Sequence, residues 1–171
     1  MITVKIYTTP KLAATLISRD REIALLERLY TTLLAAAVLS AAGKNVVYEN
    51  ITFTDTVRID SNPSNLTFKN CRFEAGFRMP HSAADGNVTI ENCTFTGNES
   101  SGYAVFAQGN MASFKIAGNE ISNCRRGINI QAGNNAVVTI SGNTVKNITG
   151  KTENGFTYGA AIQMTSAESL T

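Results

Sequence analysis

Apolar residues recur in a fixed pattern along the second part of the chain. Five eight-residue segments align without gaps, and each is apolar at its first, third and eighth positions. Alternation over the first three positions is typical of a β-strand, and a repeat of about 20 to 30 residues built from short strands is typical of a solenoid. The segments are residues 46–53, 66–73, 88–95, 114–121 and 138–145, which start 20, 22, 26 and 24 residues apart.

The middle of each segment predicts a bend. Its fifth position is always asparagine or glycine, the two residues that best tolerate a positive φ. The sixth position points inward again and predicts a column of small side chains, in which stacked asparagines bond to each other and to the backbone. That column is Ile51, Cys71, Cys93, Asn119 and Asn143.

A second short strand with an inward–outward–inward pattern follows most segments. It occupies residues 57–59, 77–79, 128–130 and 162–164, whereas residues 103–107 fit the pattern less cleanly. Each repeat is therefore predicted to be a coil of about three short strands joined by turns.

The first 43 residues differ in composition. They contain eight of the ten leucines, and all 17 asparagines follow them. Residues 2–7 alternate as a short strand would, and residues 21–42 contain neither Gly nor Pro before Gly43, which suits the left-handed position that ends a helix. Residues 33–42 are apolar almost all round, as in a buried helix. We therefore predict a strand and helical cap over residues 1–43 and the repeats over residues 44–171.

This arrangement resembles the right-handed parallel β-helix of pectate-lyase-like proteins, tailspikes and many surface proteins, over about residues 44–165. The resemblance implies an all-β solenoid of five to six coils with an N-terminal α-helical cap. The stretch LLAAAVLSAAG before Lys44 is similar to such a cap. An apolar helix there would cover the core and the unpaired strand edges at one end of the solenoid.

Polar side chains occupy the outward position of the second strand on several coils. Arg58 and Arg78 fall at equivalent positions of neighbouring coils, so their guanidinium groups are expected side by side. Such a stripe is able to bind an anion or a carboxylate-bearing sugar, and the alternative is an ordinary solvated surface. The candidate binding residues are Arg58, Arg78, His81, Asn129 and Gln163, with Arg125 and Arg126 at a later turn.

Acidic residues do not cluster as catalysis would require. The lyases and hydrolases that the repeats resemble carry several acidic residues close together on one outward sheet, whereas the four aspartates here are scattered. Glu49 and Glu91 share the fourth position with Lys69 between them, which is expected for charge compensation on a surface. We therefore expect no catalytic residues, no metal site and no cofactor.

Charge and composition narrow the class of partner. The net charge of +2 argues against a strongly basic nucleic-acid-binding protein. Three cysteines without short-range pairing argue against a disulfide framework, so free thiols are expected. The uncharged run over residues 29–43 is shorter than the ~20 residues of a transmembrane helix, and its flanking charges do not suit a secretory signal.

These observations predict a non-catalytic module that docks on a macromolecular partner, with a protein as the expected partner. The expected setting is a phage- or mobile-element-encoded protein that binds and inhibits a host protein in the bacterial cytoplasm, or a component of a phage particle. The alternative is a polysaccharide-binding or polysaccharide-degrading module of a tailspike or surface protein. Self-association through the coil ends or the helix is a further expectation.

Overall fold

The computed structural model describes residues 2–3, 38–39, 45–59, 65–79, 86–97, 102–109, 112–132, 136–165 and 169–170. Within these ranges the regular secondary structure consists of strands β1 to β20, without a helix. Strands from successive passes of the chain stack in parallel and form three sheets, named A, B and C here. The parallel solenoid predicted from the repeats is confirmed.

Sheet A holds the first half of every repeat. Its neighbouring strands are all parallel, and Leu66, Val88 and Phe114 pair in succession. The alignment of the segments in the sequence is therefore the register of the sheet. In spatial order, the strands are Ile2–Thr3 (β1), Val46–Glu49 (β3), Asn65–Lys69 (β6), Asn87–Glu91 (β9), Ser113–Ala117 (β12), Val137–Ser141 (β15) and Ser169–Leu170 (β20).

Sheets B and C hold the rest of each coil. Sheet B contains Thr52–Phe53 (β4), Arg72–Phe73 (β7), Thr94–Thr96 (β10), Glu120–Ser122 (β13) and Thr144–Lys146 (β16). Sheet C contains Val38–Leu39 (β2), Val57–Ile59 (β5), Phe77–Met79 (β8), Tyr103–Gly109 (β11), Arg126–Ala132 (β14) and Ile162–Thr165 (β19). Between β16 and β19, an antiparallel hairpin is formed by Lys151–Glu153 (β17) and Phe156–Tyr158 (β18).

Most of the predicted N-terminal cap, including Gly43, lies outside the described residues. The strand predicted over residues 2–7 is confirmed at Ile2 and Thr3, which join the edge of sheet A. Val38 and Leu39, which fall within the predicted helix, instead pair with β5. At these two residues the helix prediction is wrong, because pairing with the exposed edge of sheet C outweighs local helix propensity.

Aromatic rings stack in the interior along one column of sheet B. Phe73 lies between Phe53 and Phe95, with ring centroids 5.0 and 4.5 Å away. The planes of the Phe73 and Phe95 rings are almost parallel, with an interplanar angle of 4°, and all three side chains are buried. Parallel in-register stacking therefore places equivalent side chains directly on one another, and this contact is what each added coil contributes to the core.

The predicted bend is confirmed at the fifth position of every segment. Asn50, Asn70 and Asn92 have φ values of 58°, 51° and 51°, and the two glycines at this position have 65° and 61°. A Cβ atom at Gly118 would lie only 2.6 Å from Oδ1 of Asn92. Glycine therefore fits this position for two reasons: it adopts the positive φ readily, and it has no Cβ atom to collide with Asn92.

The inward sixth position forms a hydrogen-bonded column along the stack. Oδ1 of Asn143 accepts from the backbone N–H of Asn119 at 2.9 Å, and Oδ1 of Asn119 accepts from that of Cys93 at 2.8 Å. Sγ of Cys93 accepts in the same way from the backbone N–H of Cys71, at 3.4 Å. Each side chain thus satisfies a backbone donor of the preceding coil.

The same side chains also donate to the preceding coil. Nδ2 of Asn119 donates to the carbonyl of Ile90 at 3.0 Å, and the thiol of Cys93 donates to the equivalent carbonyl of Phe68 at 3.6 Å. The stacking predicted for the asparagines is confirmed, and a thiol performs both roles of the amide. The hydrogen bond between the Cys71 and Cys93 side chains, together with burial, raises the pKa of the Cys93 thiol, which keeps this donor protonated at neutral pH.

Cys124 is more deeply buried than its place in the sequence predicts. Its place after the fourth segment predicts the least enclosed of the three thiols, but its side chain is only 1% exposed. The thiol donates to the carbonyl of Ser122 at 3.2 Å, and burial raises its pKa. The expectation is wrong because this turn folds inward, as the sixth position does. All three cysteines are free thiols, as predicted.

The Phe column yields a direct test of the inward register. Phe73→Ala and Phe95→Ala should each lower the free energy of unfolding by about 3–5 kcal/mol, because each removes a buried ring and leaves a cavity. Thr94→Ala, at the outward position beside Phe95, should change it by less than about 1 kcal/mol. Urea denaturation followed by circular dichroism measures these values, and equal losses at all three positions would contradict the register.

The column of thiols and amides yields a second test. Cys93→Asn should be more stable than Cys93→Leu by about 1–3 kcal/mol, because leucine has nearly the shape of asparagine but leaves the N–H of Cys71 without an acceptor. The same denaturation experiment compares the two variants. A leucine variant as stable as the asparagine variant would show that the column is held by packing alone.

Candidate functional site

One row of outward side chains runs along sheet C. Strand pairing aligns Arg58 with Arg78, Arg78 with Phe106, Phe106 with Asn129, and Asn129 with Gln163. We call these five residues the sheet C row. The predicted alignment of the two arginines, and of Asn129 with Gln163, is confirmed. Neighbouring members of the row lie one strand spacing apart, about 4.8 Å.

Two arginines of this side of the molecule lie over aromatic rings. The guanidinium carbon of Arg78 is 5.5 Å from the centroid of the Phe106 ring, and that of Arg126 is 4.8 Å from the centroid of the Tyr103 ring. The two rings are themselves 4.8 Å apart, and Nη1 of Arg126 donates to the Tyr103 hydroxyl. We call these four residues the arginine–aromatic cluster. A guanidinium group that lies over a ring gains cation–π attraction and retains N–H donors for an acceptor group.

The length of two strands brings this cluster together. β11 and β14 have seven residues each and pair from Tyr103 and Arg126 at their starts to Gly109 and Ala132 at their ends. Gly127 permits the last coil to approach, because a Cβ atom there would lie 2.1 Å from the carbonyl oxygen of Ala161.

Asn129 is buried, although the sequence placed it in the outward polar stripe predicted for binding. Its side chain is 3% exposed, and that of the neighbouring Phe106 is 7% exposed. Nδ2 of Asn129 donates to Oε1 of Gln163 at 2.9 Å, but Oδ1 has no hydrogen-bond partner among the described residues. The burial of Asn129 was not predicted, because the repeat pattern did not align Phe106 with the outward position beside it. A second amide pair joins Gln108 to Gln131 at 2.6 Å.

The remaining predicted residues fall in different places. His81 lies outside the described residues. Arg125 lies in the turn before β14, and Arg126 is the first residue of β14; both are half-buried. Only Arg126 belongs to the arginine–aromatic cluster. The structure therefore brings Arg58, Arg78, Asn129, Gln163 and Arg126 to one side of the stack.

Sequence reasoning missed Tyr103 and Phe106. The spacing from the third to the fourth segment is the longest of the four, at 26 residues, and the added residues obscure the second strand. The triplet Val105-Phe106-Ala107 still has the pattern of a second strand. Its first and third residues, Val105 and Ala107, pair with inward residues of the coils on either side. Aligning this triplet with the other second strands would have placed Phe106 between Arg78 and Asn129.

Charge is distributed unevenly among the three sheets. The strands of sheet C contain three arginines and no acidic residue. On sheet A, Lys69 and Glu49 pair at 3.8 Å, which confirms the predicted charge compensation at the fourth position. The other ion pairs between described residues also lie on sheets A and B: Lys115–Glu91 at 3.8 Å, Arg72–Glu74 at 3.1 Å and Lys146–Glu120 at 2.6 Å.

The described residues include no group of three or more His, Cys, Asp or Glu side chains able to hold a metal ion. They also include no helix that is long and apolar enough to span a membrane.

Comparison with known proteins identifies the architecture. A family model described as the right handed beta helix region matches residues 34–170. The chain belongs to the right-handed β-helix family. The matched region of this β-helix begins before the predicted boundary at residue 44 and includes β2. No curated protein and no solved structure matches the chain.

Proposed function

We propose that the chain is a non-catalytic β-helix binding module whose sheet C row and arginine–aromatic cluster bind acidic groups of a partner protein. The observation that carries this proposal is the set of three arginines on strands of sheet C that contain no acidic residue. Two of the three guanidinium groups lie over rings. Arginine, tyrosine and phenylalanine are also the residues enriched at protein–protein interfaces.

The pairing of Arg58 with Arg78 supports an anionic partner in particular. Strand register places the two guanidinium groups one strand spacing apart on the same face of sheet C. A carboxylate bound between them would accept hydrogen bonds from both. Because the row is straight and has the period of the stack, it suits an extended or flat partner surface.

The proposed setting is intracellular. The three buried free thiols accord with a reducing compartment. A phage- or mobile-element-encoded protein that docks on a bacterial host protein and inhibits it is the setting we propose.

A second candidate function is binding of an acidic polysaccharide. The observation that favours it is the placement of amides beside rings. Gln108 lies on the same strand as Phe106, and Asn129 and Gln131 lie on the same strand as Arg126. These amides form the pairs Asn129–Gln163, with Gln163 on the neighbouring β19, and Gln108–Gln131. Rings, amides and guanidinium groups together are able to bind a sugar ring, its hydroxyls and its carboxylate.

The two candidates are separated with two polyanions. Poly-L-glutamate presents carboxylates on a polypeptide, whereas polygalacturonate presents them on a sugar chain. Biolayer interferometry with the immobilised full chain, with and without calcium, compares their binding. Preference for poly-L-glutamate supports the protein-partner proposal, and preference for polygalacturonate favours the polysaccharide candidate. Failure to bind either polyanion would contradict both.

Reversal of the paired arginines tests the site itself. Arg58→Glu combined with Arg78→Glu should weaken binding of the preferred polyanion at least tenfold, or by about 1.4 kcal/mol, because both cations become repulsive. The matched control is Lys69→Glu combined with Lys115→Glu on sheet A, which changes the net charge by the same amount. Circular dichroism and the melting temperature check that both variants fold. Equal loss of binding in the two variants would assign the effect to net charge and would contradict a site on sheet C.

A further inference from the structure

The hairpin of β17 and β18 forms a small sheet of its own. Its strands, Lys151–Glu153 and Phe156–Tyr158, pair with each other and with no strand of sheet A, B or C among the described residues. The stack holds only the base of the hairpin, where the N–H of Gly150 donates to the carbonyl of Arg125 at 2.9 Å. Because an isolated two-stranded hairpin is marginally stable in water, its tip opens more readily than the coils do.

The turn at the tip of this hairpin is an Asn-Gly pair. Asn154 and Gly155 have φ values of 51° and 79°, and positive φ at both central residues is what a type I′ turn requires. Both residues are exposed. A Cβ atom built at Gly155 would meet no atom within 4 Å, so the turn lies in open solvent.

Asn154 differs from the other asparagines of the chain in two ways. It is the only one of the 17 that is followed by glycine. In addition, no hydrogen bond between described residues holds its side chain. Asn147 provides the contrast, because it is also exposed and has a similar φ of 54°, but its Nδ2 donates to Oδ1 of Asn123 at 3.1 Å and isoleucine follows it.

An asparagine followed by glycine undergoes a reaction that needs no enzyme. The backbone nitrogen of the glycine attacks Cγ of the asparagine, a C–N bond forms, and the side-chain nitrogen leaves as ammonia with the proton of the attacking N–H. Water then opens the resulting five-membered imide at one of its two acyl C–N bonds, which yields aspartate or isoaspartate. Glycine favours the attack because it has no side chain to obstruct its nitrogen.

We propose that Asn154 is a deamidation site, at which the tip of the hairpin converts to aspartate or isoaspartate and gains a negative charge. Attack on Cγ requires the asparagine to leave its left-handed conformation, which the short ladder of the hairpin permits. Aspartate preserves the turn, because Asp-Gly also suits type I′. Isoaspartate adds a methylene group to the backbone of the turn, so the pairing of Glu153 with Phe156 is lost. The proposal is independent of the function proposed for the sheet C row, because it concerns a different segment.

Peptide mapping of the full chain after prolonged incubation at neutral pH tests the site. Trypsin cleaves after Lys146 and Lys151, which separates Asn147 from Asn154, and residues 152–171 contain no other asparagine than Asn154. Mass spectrometry should show deamidation at Asn154 at least tenfold faster than at Asn147, and an isoaspartate-specific methyltransferase should label the same peptide. Equal rates at the two asparagines, or an unmodified Asn154 after the free peptide TENGFTY has reacted completely, would overturn the proposal.

Two variants separate the reaction from its structural consequence. Asn154→Gln keeps a primary amide but would have to form a six-membered ring, so its tryptic peptide should stay unmodified; modification that persists there would overturn the proposal. Asn154→Asp introduces the aspartate product and should leave the hairpin paired. Chymotrypsin should therefore cleave the isoaspartate form of the unaltered chain after Phe156 at least tenfold faster than it cleaves this variant, and equal cleavage would contradict the loss of pairing.

Discussion

In-register stacking of one coil on the next is the constraint on which the rest of this β-helix depends. After the bend at the fifth position, the backbone N–H of the sixth position points along the stack, where no strand partner is available to it. The side chain of the following coil supplies the acceptor, as Asn119 does for Cys93 and Asn143 does for Asn119. A buried donor without an acceptor costs about 1–3 kcal/mol, so a register slip would be penalised at several coils at once.

The same register places side chains for recognition. It stacks Phe73 on Phe95 inside the molecule and aligns Arg58 with Arg78 outside it. Inward positions determine stability and outward positions remain available for binding, because side chains alternate between the two faces of a strand. The alignment of two like charges is therefore imposed by the backbone rather than by any attraction between the side chains.

Much of this architecture was predictable from the sequence, because the strongest signals repeat with the coils. The eight-residue segments predicted the register of sheet A, and Asn or Gly at the fifth position predicted the positive-φ bend. The sequence did not predict the burial of Asn129 or the contribution of Phe106, because an insertion shifts the second strand of that coil out of the repeat. Val38 was also misassigned, because local helix propensity contains no information about the strand edge with which it pairs.

Dependence on neighbouring coils also explains the burial of the inward columns. Stability in a stacked repeat is approximately a sum of coil and nearest-neighbour terms, so an inward side chain is fully covered where coils lie on both sides of it. Ile128 lies between Val105 and Ile162 in its column and is buried. Arg78 and Phe106 on the outer face of sheet C likewise belong to strands that have a neighbour on each side, so the stack fixes their positions before any partner is bound.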